Sequence, residues 1–290
     1  LSSSTVPMIE KACETCEKLM GEEDSPVLGL HIEGPYLNPK QAVAQNPEWI
    51  KAPVPEEYEP LLDKYPCIKR WDEAPELPGS VEFITACHKH GVLSALSCTH
   101  ATYHDVEAGY NAGMTHATHL YNAMPVVYKE REFKVPGTVE SVYALQGMTV
   151  EVIADGKHLP PVMLRVAYKV KGVEKTALVT ASLAYAASDG KVTPEPRVIL
   201  EDGVCKVSDH SALAGSIATM DTLIRTCVKE ADIPMADACR MASETPARIM
   251  GVLDRKGTIE EGKDADIMMF DDDINLTYVM QMGKEVTNHL

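Results

Sequence analysis

Apolar residues along this chain follow two rhythms. In SSSTVPMIEKACETCEKLM, VEFITACHKHG, DVEAGYNAG and PPVMLRVAYKVKG they recur every three to four positions, the period of an amphipathic helix. Between these segments lie short, nearly continuous apolar runs: SPVLGLHIEGP, VLSALSCTH, MTHATHL, MTVEVIADG and KTALVTAS. Strands buried on both faces have that composition. Their alternation with amphipathic helices predicts a parallel sheet of βα units. The first helix opens on a Ser/Thr cluster that suits a cap. Towards the C-terminus, ADACRMASETPARIMGV predicts a last helix. KGTIEEGKDADIMMFDDDINLTYVMQMGKEV then breaks the pattern with short strands and Gly turns, which predicts a small β appendage.

Each of the five apolar runs ends, on its C-terminal side, in polar or reactive residues. These are His31 and Glu33, Cys98 and His100, His116 and His119, Asp155, then Thr180 and Ser182. A (β/α) barrel builds its active site from those strand ends. An open doubly wound sheet also places ligands there, but usually with a Gly-rich phosphate loop, which this sequence lacks. The pattern therefore predicts a barrel over residues 1–252 and a small β appendage over residues 253–290.

Composition narrows the partners. The chain has 290 residues, 45% of them hydrophobic, enough to bury a sizeable core. A net charge of −16 argues against nucleic acid or an anionic membrane as partner. It leaves open a small phosphorylated substrate, which needs only a local positive cluster. No apolar run approaches the roughly 18 residues of a membrane span. The first residues lack the basic-then-apolar order of a signal peptide. The 8 cysteines include a CxxC at Cys13 and Cys16, with no second pair to close a zinc site. Reduced, mostly buried thiols in a cytoplasmic protein are the expectation.

Several residues carry candidate chemistry. Glu33 follows an apolar strand and precedes Gly-Pro, so it is either a metal ligand at a strand end or a surface glutamate before a turn. His116 and His119 are an odd number of residues apart. On a strand they point to opposite faces, so only one of them should face the barrel interior. His158, beside Lys157, could bind an anion or polarise a carbonyl, or be an ordinary loop histidine. ALAGSIATMD predicts a glycine-containing loop entering a helix, with Ser216 as its cap.

Taken in order, HIEGPYLNP, THLYNAMP, VEVIADGKH, LVT, LAGS, ETPARIMG and KGTIEEGKDAD resemble the N-acetylglucosamine-6-phosphate deacetylase family of the amidohydrolase superfamily. The resemblance covers essentially the whole chain. It implies a (β/α)8 TIM-type barrel with a small β-sandwich, which makes residues 253–290 β-sandwich strands, and one or two divalent metals, zinc foremost and iron as the alternative. It also implies an amino-sugar phosphate as small-molecule partner and a homodimer. Under it Glu33 and His119 are metal ligands. Gln45, Asn122, Ala123, Arg131 and His158 contact the substrate, with Arg131 on the phosphate. Leu213, Ala214 and Gly215 lie near the acetyl group.

This sequence departs from the family in four places. Cys98 stands where the family has its second metal histidine, with His100 two residues on as the other possible ligand. Ala181 stands where the family has its general-base aspartate. The segment around Arg131 is lengthened to REFKVPG. The family's N-terminal barrel and sandwich strands have no counterpart before Leu1, which implies a barrel lacking those strands. The activity implied is deacetylation of N-acetylglucosamine 6-phosphate. The alternatives are a catalytically weakened sugar-phosphate-binding relative, or an amidohydrolase of another N-acyl substrate. THLYNAM and IADGKH weigh against the last.

Overall fold

The computed structural model describes residues 1–187 and 197–288. They form two compact units, Leu1–Val150 and Glu151–Leu290. The first unit contains α1 (Val6–Met20), β1 (Leu30–Glu33), α2 (Pro55–Lys64), β2 (Ile68–Glu73), α3 (Ser80–Lys89) and β3 (Leu93–Leu96). It continues with α4 (Tyr103–Ala112), β4 (His116–Ala117), the hairpin β5 (Tyr128–Glu130) and β6 (Phe133–Val135), α5 (Thr138–Ala144), and the start of β7 (Thr149–Val152). Neighbouring strands run β1-β2-β3-β4-β7, every pair parallel. The predicted βα alternation is therefore present.

Strand β2 is absent from the sequence-based expectation, for a physical reason. Four of its six residues, IKRWDE, are charged, so no apolar run marks it, yet Arg70, Asp72 and Glu73 are all buried. On one face, Asp72 Oδ1 accepts from Arg70 Nε at 3.0 Å and pairs with His31 Nε2 at 2.9 Å, while Arg70 also donates to the Thr118 hydroxyl. Burial works against the charge of Asp72, but Arg70 and His31 outweigh it and hold the carboxyl far below its ordinary range. On the other face, Trp71 stacks on Tyr36 with centroids 5.8 Å apart, and Phe83 of α3 meets both rings edge-on. Trp71 Nε1 donates to Gly34 O at 2.9 Å, which anchors the turn that follows β1.

The second unit holds the end of β7, α6 (Pro161–Lys171) and β8 (Thr176–Leu178), where Val179 N donates to Val152 O at 3.1 Å. An antiparallel sheet follows, in the order β11-β10-β9, from β9 (Val198–Glu201), β10 (Val204–Val207) and β11 (Leu213–Gly215). Then come α7 (Met220–Lys229), α8 (Met235–Ala242) and α9 (Glu244–Ile249). The antiparallel β12 (Ile267–Phe270), β13 (Leu276–Gln281) and β14 (Lys284–Asn288) bear out the expected C-terminal strands. Two local expectations are corrected. The last helix is two, broken at Ser243, whose φ of −133° is not helical. Thr219, not Ser216, is the N-cap of α7; the Ser216 hydroxyl instead accepts from Ala218 N at 2.7 Å inside the preceding loop. Among the described residues, no helix is long and apolar enough to cross a membrane.

Glu73 generates a stability prediction. Its side chain is fully buried, and the Ser80 hydroxyl that faces it donates to Ala74 O at 2.9 Å. Burial raises the carboxyl well above its ordinary 4.5, so the folded state favours the neutral acid. A folded-state pKa raised in this way gives a contribution that is complete below the unfolded value and is lost as pH rises through the folded one. Glu73→Leu is expected to stabilise the protein near neutral pH by about 1–3 kcal/mol and to flatten the fall in stability above acidic pH. Urea unfolding across a pH series checks this; an unchanged pH profile would contradict it.

Candidate metal centre

Three strands of one sheet in the first unit end in the residues that matter. Glu33 closes β1, and the chain then turns sharply at Gly34, whose φ is 93°. A side chain there would meet Ser3 Oγ at 2.3 Å, so only glycine lets the turn lie this close. Cys98 lies just past β3 and His119 just past β4, with φ values of 43° and 33°. Both are in the left-handed region that L-residues avoid, so the surrounding bonds must over-determine them. Asn38 N donates to Cys98 O at 3.0 Å and Asn122 N to His119 O at 2.9 Å.

The result is a convergent donor set. One ligand atom each from Glu33, Cys98 and His119 lies within 4.8 Å of the others. His119 Nε2 is 3.2 Å from Glu33 Oε1, and Cys98 Sγ is 3.6 Å from that same oxygen. Ser97 Oγ also approaches His119 Nε2, at 3.2 Å. Glu33 and Ser97 thus both meet the same imidazole nitrogen, and Glu33 Oε1 is shared between His119 and Cys98. Carboxylate, thiolate and imidazole together suit a borderline-soft divalent ion.

Protonation fits the same reading. Burial raises the Glu33 carboxyl, but its contact with His119 outweighs this and holds it below its ordinary value. Burial disfavours charge on His119, yet Cys98 and Glu33 hold its pKa well above the usual 6.5. Burial pushes the Cys98 thiol up. Without metal, the set is a carboxylate, an imidazolium and a neutral thiol.

The remaining candidates lie as follows. Gln45 Nε2 donates to Glu33 Oε1 at 3.1 Å while its Oε1 accepts from Ser3 N at 2.8 Å, so it orients the carboxylate. His100 is exposed and outside the donor set; its backbone N donates to Glu76 and its ring faces Tyr128. His116 is buried, with Nδ1 2.8 Å from Thr149 Oγ1, so of the two histidines only His119 joins the set. Asn122 folds its amide onto His119 O at 3.1 Å, and Ala123 O accepts from Thr99 N at 3.1 Å. Arg131 is exposed at the turn between β5 and β6, with φ 55°.

In the second unit, His158 Nδ1 lies 2.7 Å from Asp155 Oδ2, and Asp155 Oδ1 accepts from the backbone of Lys157 and His158. Burial opposes the charge of Asp155, but the His158 contacts hold its pKa below the ordinary value. Asp155 was recognised in the sequence only as a strand-end residue. The i, i+3 spacing of Asp and His in ADGKH is the signal for its role as orienter. Ala181, with φ 46°, accepts from Ser216 N through its carbonyl at 3.0 Å. Leu213, Ala214 and Gly215 form β11. Gly215 lies against Leu183 and Ala181 O with φ 141°, leaving little room for a side chain. Asp189, the next carboxylate along the chain, lies outside the described residues.

The chain is similar to known proteins over most of its length. The amidohydrolase family model matches residues 3–286. The chain is 30% identical over 280 residues to N-acetylglucosamine-6-phosphate deacetylase of Haemophilus influenzae, covering 95% of this chain and 72% of that protein. It is 32% identical over 280 residues to the Bacillus subtilis enzyme of the same name, covering 94% and 67%. Among solved structures, N-acetylglucosamine-6-phosphate deacetylase from Pasteurella multocida superposes with a TM-score of 0.89 at 28% identity, over 99% of this chain and 75% of that one. An Asp-to-Ala mutant of the Mycobacterium smegmatis enzyme, in complex with N-acetyl-D-glucosamine-6-phosphate, gives the same TM-score of 0.89 at 28% identity over the same shares. The fold is the α/β-barrel kind of these relatives, with antiparallel C-terminal strands.

Metal uptake must displace the protons on Cys98 and His119. Apparent zinc affinity is therefore expected to rise with pH, by up to about a hundredfold per unit between roughly pH 6 and 7, one factor of ten for each proton. Cys98→Ala should remove one proton from that dependence as well as weaken binding. Competition titrations with a chromophoric chelator read both; an affinity that ignores pH would contradict the donor set.

Proposed function

We propose that this chain, which belongs to the amidohydrolase family, is a metal-dependent deacetylase of N-acetylglucosamine 6-phosphate, yielding glucosamine 6-phosphate and acetate. The observation that carries the proposal is the convergence of Glu33, Cys98 and His119 within 4.8 Å at the ends of three strands of one sheet. Zinc is the metal the donors favour over iron, because thiolate and imidazole both bind it well. The cytoplasm, where thiols stay reduced, suits a cysteine ligand.

What a divalent metal supplies in such a set is Lewis acidity, which polarises a carbonyl and lowers the pKa of water towards 7. The protein's own residues do the rest. Glu33, Cys98 and His119 hold the ion, and Gln45 fixes the Glu33 carboxylate. Arg131 and the backbone around Asn122 and Ala123 are assigned to the 6-phosphate, Arg131 by bidentate hydrogen bonds. In the second unit, Asp155 holds Nδ1 of His158 and leaves Nε2 for a substrate hydrogen bond. Leu213, Ala214 and Gly215 are assigned to the acetyl group.

Proton transfer is the weak step. Ala181 carries a methyl group where the resemblance implies an aspartate, and loss of a general base costs about 10²–10⁴-fold in rate. Ala181 therefore favours a second reading, a relative that binds the sugar phosphate and turns it over slowly. The M. smegmatis relative with an Asp-to-Ala substitution has itself been crystallised with N-acetyl-D-glucosamine-6-phosphate bound.

Acetate release from N-acetylglucosamine 6-phosphate with Zn²⁺ or Fe²⁺, set beside calorimetric binding of glucosamine 6-phosphate, separates the two readings. Ala181→Asp is expected to raise turnover by about 10²-fold or more, and Ala181→Asp with Cys98→His to exceed either change alone. No gain in a folded, metal-loaded double variant would mean that the base does not belong at Ala181. Arg131→Ala should weaken glucosamine 6-phosphate selectively over glucosamine; equal affinity of the unaltered protein for the two sugars would refute the phosphate assignment.

A further inference from the structure

The loop that carries Cys98 is held from three directions. Its Cys98 carbonyl takes Asn38 N at 3.0 Å, from the loop that follows Glu33. Thr99 N reaches Ala123 O at 3.1 Å, in the loop that follows His119. The third hold is Glu76, just past the end of β2. Its Oε1 accepts from Asn38 Nδ2 and from His100 N, both at 2.7 Å, and its Oε2 accepts from the Thr99 hydroxyl. That hydroxyl accepts in turn from Ala101 N at 3.0 Å. One half-buried carboxylate thus binds the loop after β1 and the loop after β3 together, through Asn38 in the first and the two residues that follow Cys98 in the second.

Glu76 does not touch the donor atoms and is not one of them. Both of its oxygens are taken up by protein donors, and hydrogen bonds to a charged acceptor are about twice as strong as neutral ones. They act where the backbone needs them, because Cys98 is in the left-handed region at φ 43° and relaxes away from it if released. Thr99 and His100 follow Cys98 directly, so a bond at each limits the rotation that would swing Sγ out of the triangle.

We propose that Glu76 is a positioning residue of the metal centre, holding the Cys98 thiolate in place by clamping its loop to the one that follows Glu33. The proposal rests on the reading of Glu33, Cys98 and His119 as metal ligands. Removing groups that orient ligands typically costs about 10–100-fold in metal affinity. Glu76→Ala removes all three bonds. Glu76→Gln keeps one acceptor oxygen and falls between Glu76→Ala and the unaltered protein.

The test uses the full chain with Co²⁺ as probe, because thiolate ligation gives cobalt a charge-transfer band in the near ultraviolet. Zinc competition supplies dissociation constants, and melting temperatures without metal report the fold. Glu76→Ala is expected to weaken Zn²⁺ and Co²⁺ about tenfold or more and to diminish the sulfur-to-cobalt band, with Glu76→Gln intermediate. A purely structural role would lower the melting temperature and leave the dissociation constant and band of the folded variants unchanged; that result overturns the proposal. If Glu76→Ala does not fold, Glu76→Gln decides by the same criterion. If the unaltered protein shows no sulfur band, Cys98 is not a ligand, and the metal-ligand reading fails together with the role of Glu76. A band in the unaltered protein that persists undiminished in both variants overturns Glu76 alone.

Discussion

The contact on which this site depends is the one between Glu33 Oε1 and His119 Nε2, 3.2 Å apart at the ends of β1 and β4. It brings a carboxylate and an imidazole together where both are largely shielded, with 26% and 13% of their side chains exposed. Cys98 then has one place to aim, the same carboxylate oxygen. Each of the three is unfavourable alone: a half-buried charge, a raised imidazole and a thiol in a strained backbone. Together they neutralise one another in the absence of metal and leave a donor set of mixed hardness when protons are lost.

The sheet around that contact is built to hold it. β2 separates β1 from β3 and carries a buried ionic row in place of the branched apolar residues a barrel strand usually offers. Asp72 Oδ1 answers both Arg70 and His31, so its buried charge is paired from two sides. On the opposite face, Trp71 locks the turn after Glu33 through Gly34. The aromatic packing of Trp71, Tyr36 and Phe83 therefore acts on the position of Glu33 as well as on stability.

The alternation of helices with apolar strands was legible in the sequence because strands buried on both faces read as apolar runs. β2 was not, because its burial is achieved by ion pairing that no local pattern reveals. The hairpin of β5 and β6 was missed for the opposite reason. It is short, charged and almost wholly exposed, so nothing periodic marks it. Of the candidate donors, Glu33 and His119 were visible as strand-end residues. The choice of Cys98 over His100 needed coordinates, since two residues along a loop decide which side chain turns inward. Gln45 was read as a substrate contact, but its hydrogen bonds run to Glu33 and Ser3, long-range partners that spacing cannot supply.

The claim that most distinguishes this protein is that a cysteine thiolate completes its metal centre. Zinc-edge X-ray absorption of the purified, zinc-loaded chain tests that claim directly. One sulfur scatterer at about 2.3 Å is expected beside nitrogen and oxygen at about 2.0–2.2 Å, with the sulfur shell lost in Cys98→Ala. A zinc shell made only of nitrogen and oxygen in the unaltered protein, or a chain that takes up no zinc, would contradict it.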